Sequence, residues 1–106
     1  MQANGLWYTL LESEGIPMAF ETQENRIVYQ QENKVLAQVT FPIWKDNIVN
    51  IDHTFVDESL RGQGVAGQLM QRTAEELRRT NRKAVATCSY AKRWFEQHKE
   101  YADVLK

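Results

Sequence analysis

The chain has 106 residues, 42% of them hydrophobic and 25% charged, with a formal net charge of −1. That length suits one domain around a single core and is too short for two. The near-neutral charge argues against nucleic acid, whose phosphates need a basic face or groove, and no apolar run approaches the ~20 residues of a membrane span.

In chain order, residues 1–17 carry Leu6, Trp7, Leu10 and Leu11 at helix-like spacing, bracketed by Gly5, Gly15 and Pro17. Residues 1–23 are read as an N-terminal extension, packed on the core or serving an oligomer contact, with the domain proper at residues 24–106. No basic stretch followed by a long apolar core marks a signal peptide. From Asn25 the pattern becomes strand-like. Arg26–Gln30 centres on Ile27, Val28 and Tyr29, and Gln31-Glu32-Asn33-Lys34 is turn material. Val35–Phe41 is the returning strand, ended by Pro42. Lys45-Asp46-Asn47 turns again into a third strand at Ile48–Val56. Three strands joined by short polar turns predict an antiparallel meander.

Arg61-Gly62-Gln63-Gly64-Val65-Ala66-Gly67 then places three glycines in seven residues between a strand and a helix. Val65, Leu69, Met70, Thr73 and Leu77 recur at helical spacing after it. Arg72, Arg78, Arg79, Arg82 and Lys83 alternate with Glu75 and Glu76 and read as a solvated face rather than a nucleic-acid patch. Thr80-Asn81-Arg82-Lys83 closes the helix, and Ala84–Tyr90 is β-prone. Ala91, Trp94, Phe95, His98 and Tyr101 mark one face of a last helix. Strand, helix, strand predicts a parallel crossover unit. The expected fold is α+β: a mixed, mainly antiparallel sheet of about four strands with one β-α-β crossover and helices packed on it.

Where a helix begins, free N–H groups and the helix dipole attract a phosphate, and missing Cβ atoms let it come close. Read literally, Gly62-x-Gly64-x-x-Gly67 spells a dinucleotide fingerprint. That motif wants an acid about 20 residues on to hold the ribose, but no Asp or Glu lies between Glu76 and Glu96. Only one β-α-β unit is present, and no Gly-Lys-Ser/Thr makes a P-loop.

In the register beginning one residue earlier, Arg61-x-x-Gly64-x-Ala66 resembles the [Gln/Arg]-x-x-Gly-x-[Gly/Ala] signature of the GCN5-related N-acetyltransferases. Residues 24–104 are similar to the minimal, single-domain branch of that superfamily. They carry His53-Thr54-Phe55-Val56, the glycine loop, Cys88-Ser89-Tyr90 and His98-x-x-Tyr101-x-Asp103 at matching spacing. The resemblance implies an acyl-CoA N-acyltransferase fold and acetyl-CoA as co-substrate, with no metal. Residues 61–67 (Arg61, Gly62, Gln63, Gly64, Val65, Ala66 and Gly67) would cradle the pyrophosphate. The strand ending in Phe55 and Val56 would pair with the pantetheine arm. N–H groups near Phe55 and Val56 would polarise the thioester carbonyl, if the strand bulges there. Arg61 would contact a phosphate or remain a solvent-facing loop residue.

Two residues are candidates for the chemistry. His53, on the expected side of Val49, Ile51 and Phe55, is either a base for the amine or a hydrogen-bonded core histidine. Cys88 is expected to end the strand before the last helix, at the same sheet end as His53. It is either a thiolate nucleophile paired with His53 or a small inert core residue. Tyr90 is a further candidate, as acid for the departing thiolate, whereas Trp94, Phe95 and His98 read as core. The single cysteine excludes an intrachain disulfide and fits a cytoplasmic setting. The first reading is an N-acetyltransferase acting on an unidentified amine, small molecule or protein, as monomer or homodimer. The alternative is a noncatalytic CoA- or acyl-CoA-binding module. Residues 1–23 are too few to supply the full acceptor wall of larger family members.

Overall fold

The computed structural model describes residues 19–106, so the helix-like spacing of Leu6 to Leu11 lies outside the described residues. The first hairpin joins β1 (Ala19–Gln23) to β2 (Arg26–Gln31), with Phe20 opposite Tyr29 and Thr22 opposite Ile27. The sheet therefore begins within the segment expected as an extension. A two-residue turn leads to β3 (Lys34–Thr40). Glu32 and Asn33 both sit at positive φ, 54° and 66°, the twist-matched geometry of tight hairpins.

The predicted third strand differs from the observed one. Ile48–Val56 is divided into β5 (Ile48–Ile51) and β6 (His53–Val56), and β3 likewise gives way at Phe41-Pro42 to a short β4 (Ile43–Lys45). The cause is a bulge. The Asp52 N–H donates to the Thr40 carbonyl at 3.2 Å, while His53 is Thr40's register partner. Two residues thus oppose one, and the Thr40 hydroxyl donates to the Asp52 carboxylate at 2.5 Å. Instead of one sheet of four strands there are two: β1-β2-β3-β6, wholly antiparallel, and β4-β5-β7.

A 3-10 turn at Glu58–Leu60 and the glycine loop precede α1 (Val65–Arg79), which crosses over to β7 (Lys83–Ala86), parallel to β5. The α+β class and the single crossover are as expected. One face of α1 (Val65, Leu69, Met70, Thr73, Ala74 and Leu77) is buried and joins Ile27, Val39, Phe41, Val49 and Ile51 in one core. Thr73, polar and fully buried, donates its hydroxyl to the Leu69 carbonyl at 2.8 Å, satisfying a group that would otherwise be costly to bury. Leu69 has no exposed surface, so Leu69→Ala is expected to lower stability by about 3 kcal/mol in urea denaturation. A loss under about 1 kcal/mol would place α1 outside the core.

The last helix, α2 (Ser89–Gln97), starts two residues before Ala91 and stops before His98; Lys99–Val104 continues as 3-10 helix. Cys88 therefore caps a helix rather than ending a strand. Trp94 and Phe95 enter the core as expected, whereas His98 is only half-buried, stacked on Trp94 with ring centroids 4.0 Å apart. Arg78 grips the C-terminal stretch through both carboxylate oxygens of Asp103 and the Glu100 carbonyl. Among the described residues no helix is long and apolar enough to cross a membrane.

Candidate active site

The site lies where the two sheets part. The parallel ladder of β5 and β7 runs to Ile51 and Ala86, and the N–H groups of Thr87 and Cys88 both donate to the Ile51 carbonyl at 3.1 Å. Beyond that point β6 stays with β3, while the chain after β7 turns into α2. Among the described residues the outer edge of β6 has no strand partner. Asp57 N–H donates to Leu36 O at 2.7 Å, so by antiparallel alternation the odd residues of β6 face β3. The N–H and C=O groups of Thr54 and Val56 then face the open edge.

At the mouth of this gap the glycine loop meets α1. Asp57 accepts from the Ser59 N–H and hydroxyl, at 3.0 and 2.7 Å, and Leu60 is buried, which anchors the approach. Gly62 and Gly64 sit at φ +83° and +75°, where side chains with a Cβ are strained. A Cβ at either would meet nothing within 4 Å, so the bare backbone faces open space. Gly64 caps α1, with no side-chain cap bond and no acid in the first turn. The first backbone bond of the helix runs from Gln68 N–H to Gly64 O, which leaves the N–H groups of Val65, Ala66 and Gly67 without an acceptor among the described residues. A cleft of about 340 Å³ lies here, lined by Val56, Leu60, Arg61, Gly62, Gly64, Val65, Ala66, Gly67 and Tyr90. Arg61 is exposed and has no ion pair among the described residues.

Seven of the nine residues expected to hold the ligand line this one cleft. Gln63 instead points its amide at the Ser59 carbonyl. Phe55 is 41% exposed and stands opposite Gln38. The expected bulge at Phe55 and Val56 is absent, since both keep regular register with Gln38 and Ala37; it falls at Asp52 and His53 instead.

That shift changes which side chain reaches Cys88. Val49 and Ile51 are fully buried, but the extra residue reverses the alternation, and His53 emerges exposed. Thr54 and Val56 share a face with the buried Val39 and Ala37. His53 is thus not on the side of Val49 and Ile51, and no hydrogen bond joins it to Cys88. The Thr54 hydroxyl lies 3.5 Å from the Cys88 sulfur. Sequence reading missed Thr54 because its facing depends on a bulge that strand periodicity does not reveal.

Partial burial pushes the Cys88 thiol up. The Thr54 hydroxyl and the backbone N–H groups of Ala91, Tyr90 and Thr54 pull harder, so the thiol titrates below its ordinary range. Tyr90 moves the other way: burial, then the charge of Cys88, raises its phenol. The two groups are pushed apart, one toward thiolate and the other toward neutral acid. Among the described residues no group of three or more His, Cys, Asp or Glu is arranged to hold a metal ion.

Residues 20–104 match the family model of the GCN5-related N-acetyl-transferases. The fold is similar to the solution structure of a GCN5-like protein from Staphylococcus aureus. The two are 37% identical, with a TM-score of 0.69, over 84% of this chain and 88% of that one. A GNAT-family acetyltransferase from Elizabethkingia anophelis, solved with acetyl-CoA bound, shares the fold at 18% identity and TM-score 0.54, over 70% of this chain and 51% of that one. The ribosomal-protein-S18-alanine N-acetyltransferase of Escherichia coli does so at 16% identity and TM-score 0.56, over 68% of this chain and 49% of that one. This chain spans about half the length of these two larger enzymes, and no curated protein matches it by sequence. A family model covering most of the chain, on a fold whose sheets part beside a glycine-capped helix, makes this protein a member of the GCN5-related N-acetyltransferase family.

Proposed function

We propose that the protein is an acetyl-CoA-dependent N-acetyltransferase that passes an acetyl group to an amine. The observation that carries this reading is the cleft at the start of α1, which shares Val56 with the edge of β6 that no strand pairs among the described residues. Bare N–H groups at a helix start suit a pyrophosphate. An open strand edge suits an extended, amide-bearing arm. Coenzyme A has both parts, joined in that order.

In this reading Cys88 and Tyr90 divide the chemistry. The Cys88 thiolate attacks the thioester carbon, forming an S–C bond as the C–S bond to coenzyme A breaks, and the Tyr90 phenol gives its proton to the departing sulfur. A neutral amine then attacks the acyl-cysteine. Its proton returns to the Tyr90 phenolate, and the Cys88 thiolate is restored. His53 stands exposed beside the bulge, on the face of β6 opposite Thr54.

Calorimetric titration tests the ligand class. Acetyl-CoA and CoA are expected to bind with dissociation constants of roughly 1–100 μM, in the common range of substrate affinities, while NADH gives no heat. No heat with either CoA species overturns the reading. The noncatalytic alternative is separated by turnover: binding without transfer to any amine or peptide in a broad acceptor panel would make the protein a CoA-binding module.

A further inference from the structure

We propose that Thr54 is the positioning residue of Cys88: its hydroxyl fixes the sulfur at the open edge of β6 and is placed to donate to it, the part that sequence spacing gave to His53. The inference rests on the reading of Cys88 as a reacting group and adds the residue through which the fold prepares it.

Three observations converge. The Asp52 bulge turns Thr54 inward and His53 outward, so only one of these neighbours reaches the space occupied by Cys88. The register of β6 against β3 points the Thr54 N–H at the open edge rather than into the sheet. The Thr54 hydroxyl lies 3.5 Å from the sulfur. One residue therefore offers the sulfur both a hydroxyl and a backbone N–H from the strand side, while α2 offers the N–H groups of Tyr90 and Ala91 from the other.

The backbone of Cys88 is itself held, its N–H by the Ile51 carbonyl and its carbonyl by the Lys92 N–H. The sulfur is thus pinned from two elements at once, where no side-chain cap bond forms on α2 alone. Among the described residues the leading contributions that lower the thiol's titration are hydrogen bonds, first that of the Thr54 hydroxyl, and the charge of Cys88 raises Tyr90. These hydrogen bonds stabilise the thiolate. When the thiolate forms, the Thr54 hydroxyl donates to it. When the sulfur carries an acyl group, that donor is freed.

The test is the pH profile of alkylation by iodoacetamide, which reports Cys88 alone because it is the chain's single cysteine. The wild type is expected to react with a midpoint below the value of about 8.5 of a free cysteine. Thr54→Val keeps the shape but removes the hydroxyl. It should shift the midpoint upward and slow alkylation at pH 7 by about tenfold, the ratio of one pKa unit. Thr54→Ser should restore both. A Thr54→Val profile that coincides with the wild type overturns the proposal, as does a Ser variant that rescues nothing. His53→Ala should leave the profile where it is; an equal upward shift in that variant would return the role to His53. Acetyl transfer by the same variants separates the two layers. A shifted titration with unchanged turnover upholds the Thr54–Cys88 coupling and removes Cys88 from the chemistry.

Discussion

Gly64→Val is expected to abolish acetyl-CoA binding, with affinity falling about 100-fold or more in calorimetry, while the protein stays folded. The glycine sits at φ +75°, where a β-branched residue is strained by about 1–2 kcal/mol. An added Cβ meets no neighbour within 4 Å, so the fold has no clash to resolve. The damage falls on whatever approaches from outside. Hydrogen bonds to a charged group contribute about 1.5–3 kcal/mol each, and displacing the phosphates from one or two N–H groups is enough for the expected loss. Gly67→Ala is the contrasting substitution. Its φ is not positive, and its Cβ would lie 3.8 Å from Trp94 Nε1 and from the Tyr90 hydroxyl, an ordinary contact. Wild-type affinity in a folded Gly64→Val protein would reduce the loop to a plain turn.

The second large effect is expected at Cys88. Wild-type protein incubated with acetyl-CoA should gain one acetyl group by mass spectrometry, mapping to Cys88, and Cys88→Ala should gain none. Turnover with any accepted amine should fall by about 100-fold or more, as expected when a nucleophile is removed. The structural basis is the lowered titration of the thiol by the Thr54 hydroxyl and three N–H groups. Lowering the pH protonates the thiolate, so adduct formation should slow as pH falls through the thiol's midpoint. A clean wild-type spectrum under conditions that yield acetylated product would instead assign direct attack by the amine, with Cys88 a bystander.

The two substitutions differ in what they leave intact. Gly64→Val attacks binding and should remove adduct and turnover together. Cys88→Ala should spare binding, because Cys88 is not among the residues lining the glycine-loop cleft. Measured side by side, they separate a failed ligand assignment from a failed mechanism.

Much of the fold is legible in residue order. The α1 periodicity from Val65 to Leu77 matches its buried face, and the hairpin turn at Glu32-Asn33 falls where the polar residues predicted it. Gly62 and Gly64 take positive φ at the start of α1, a conformation that follows from the residues themselves because they lack a Cβ. Less legible were the two sheets. Ile48–Val56 is uniformly β-prone, and nothing in its composition marks Asp52 as the place where pairing changes partners. Tyr90 was visible as a candidate but not its surroundings. Its raised phenol depends first on burial against the α1 start, a distant part of the chain, and then on the charge of Cys88 two residues before it.

What the sequence determined by itself is therefore the proposed ligand end of the site: a helix start stripped of side chains, flanked by Arg61 and followed by an amphipathic helix. These are local matters, decided within one or two turns of chain. The tertiary structure alone decided which side chain meets Cys88. The bulge that turns Thr54 inward and His53 outward exists because Asp52 and His53 together face Thr40, on a strand twelve residues earlier. Side-chain facing in a strand has period two, so one extra residue reverses every position after it. Such an insertion is fixed by the partner strand, and only the paired sheet reveals it.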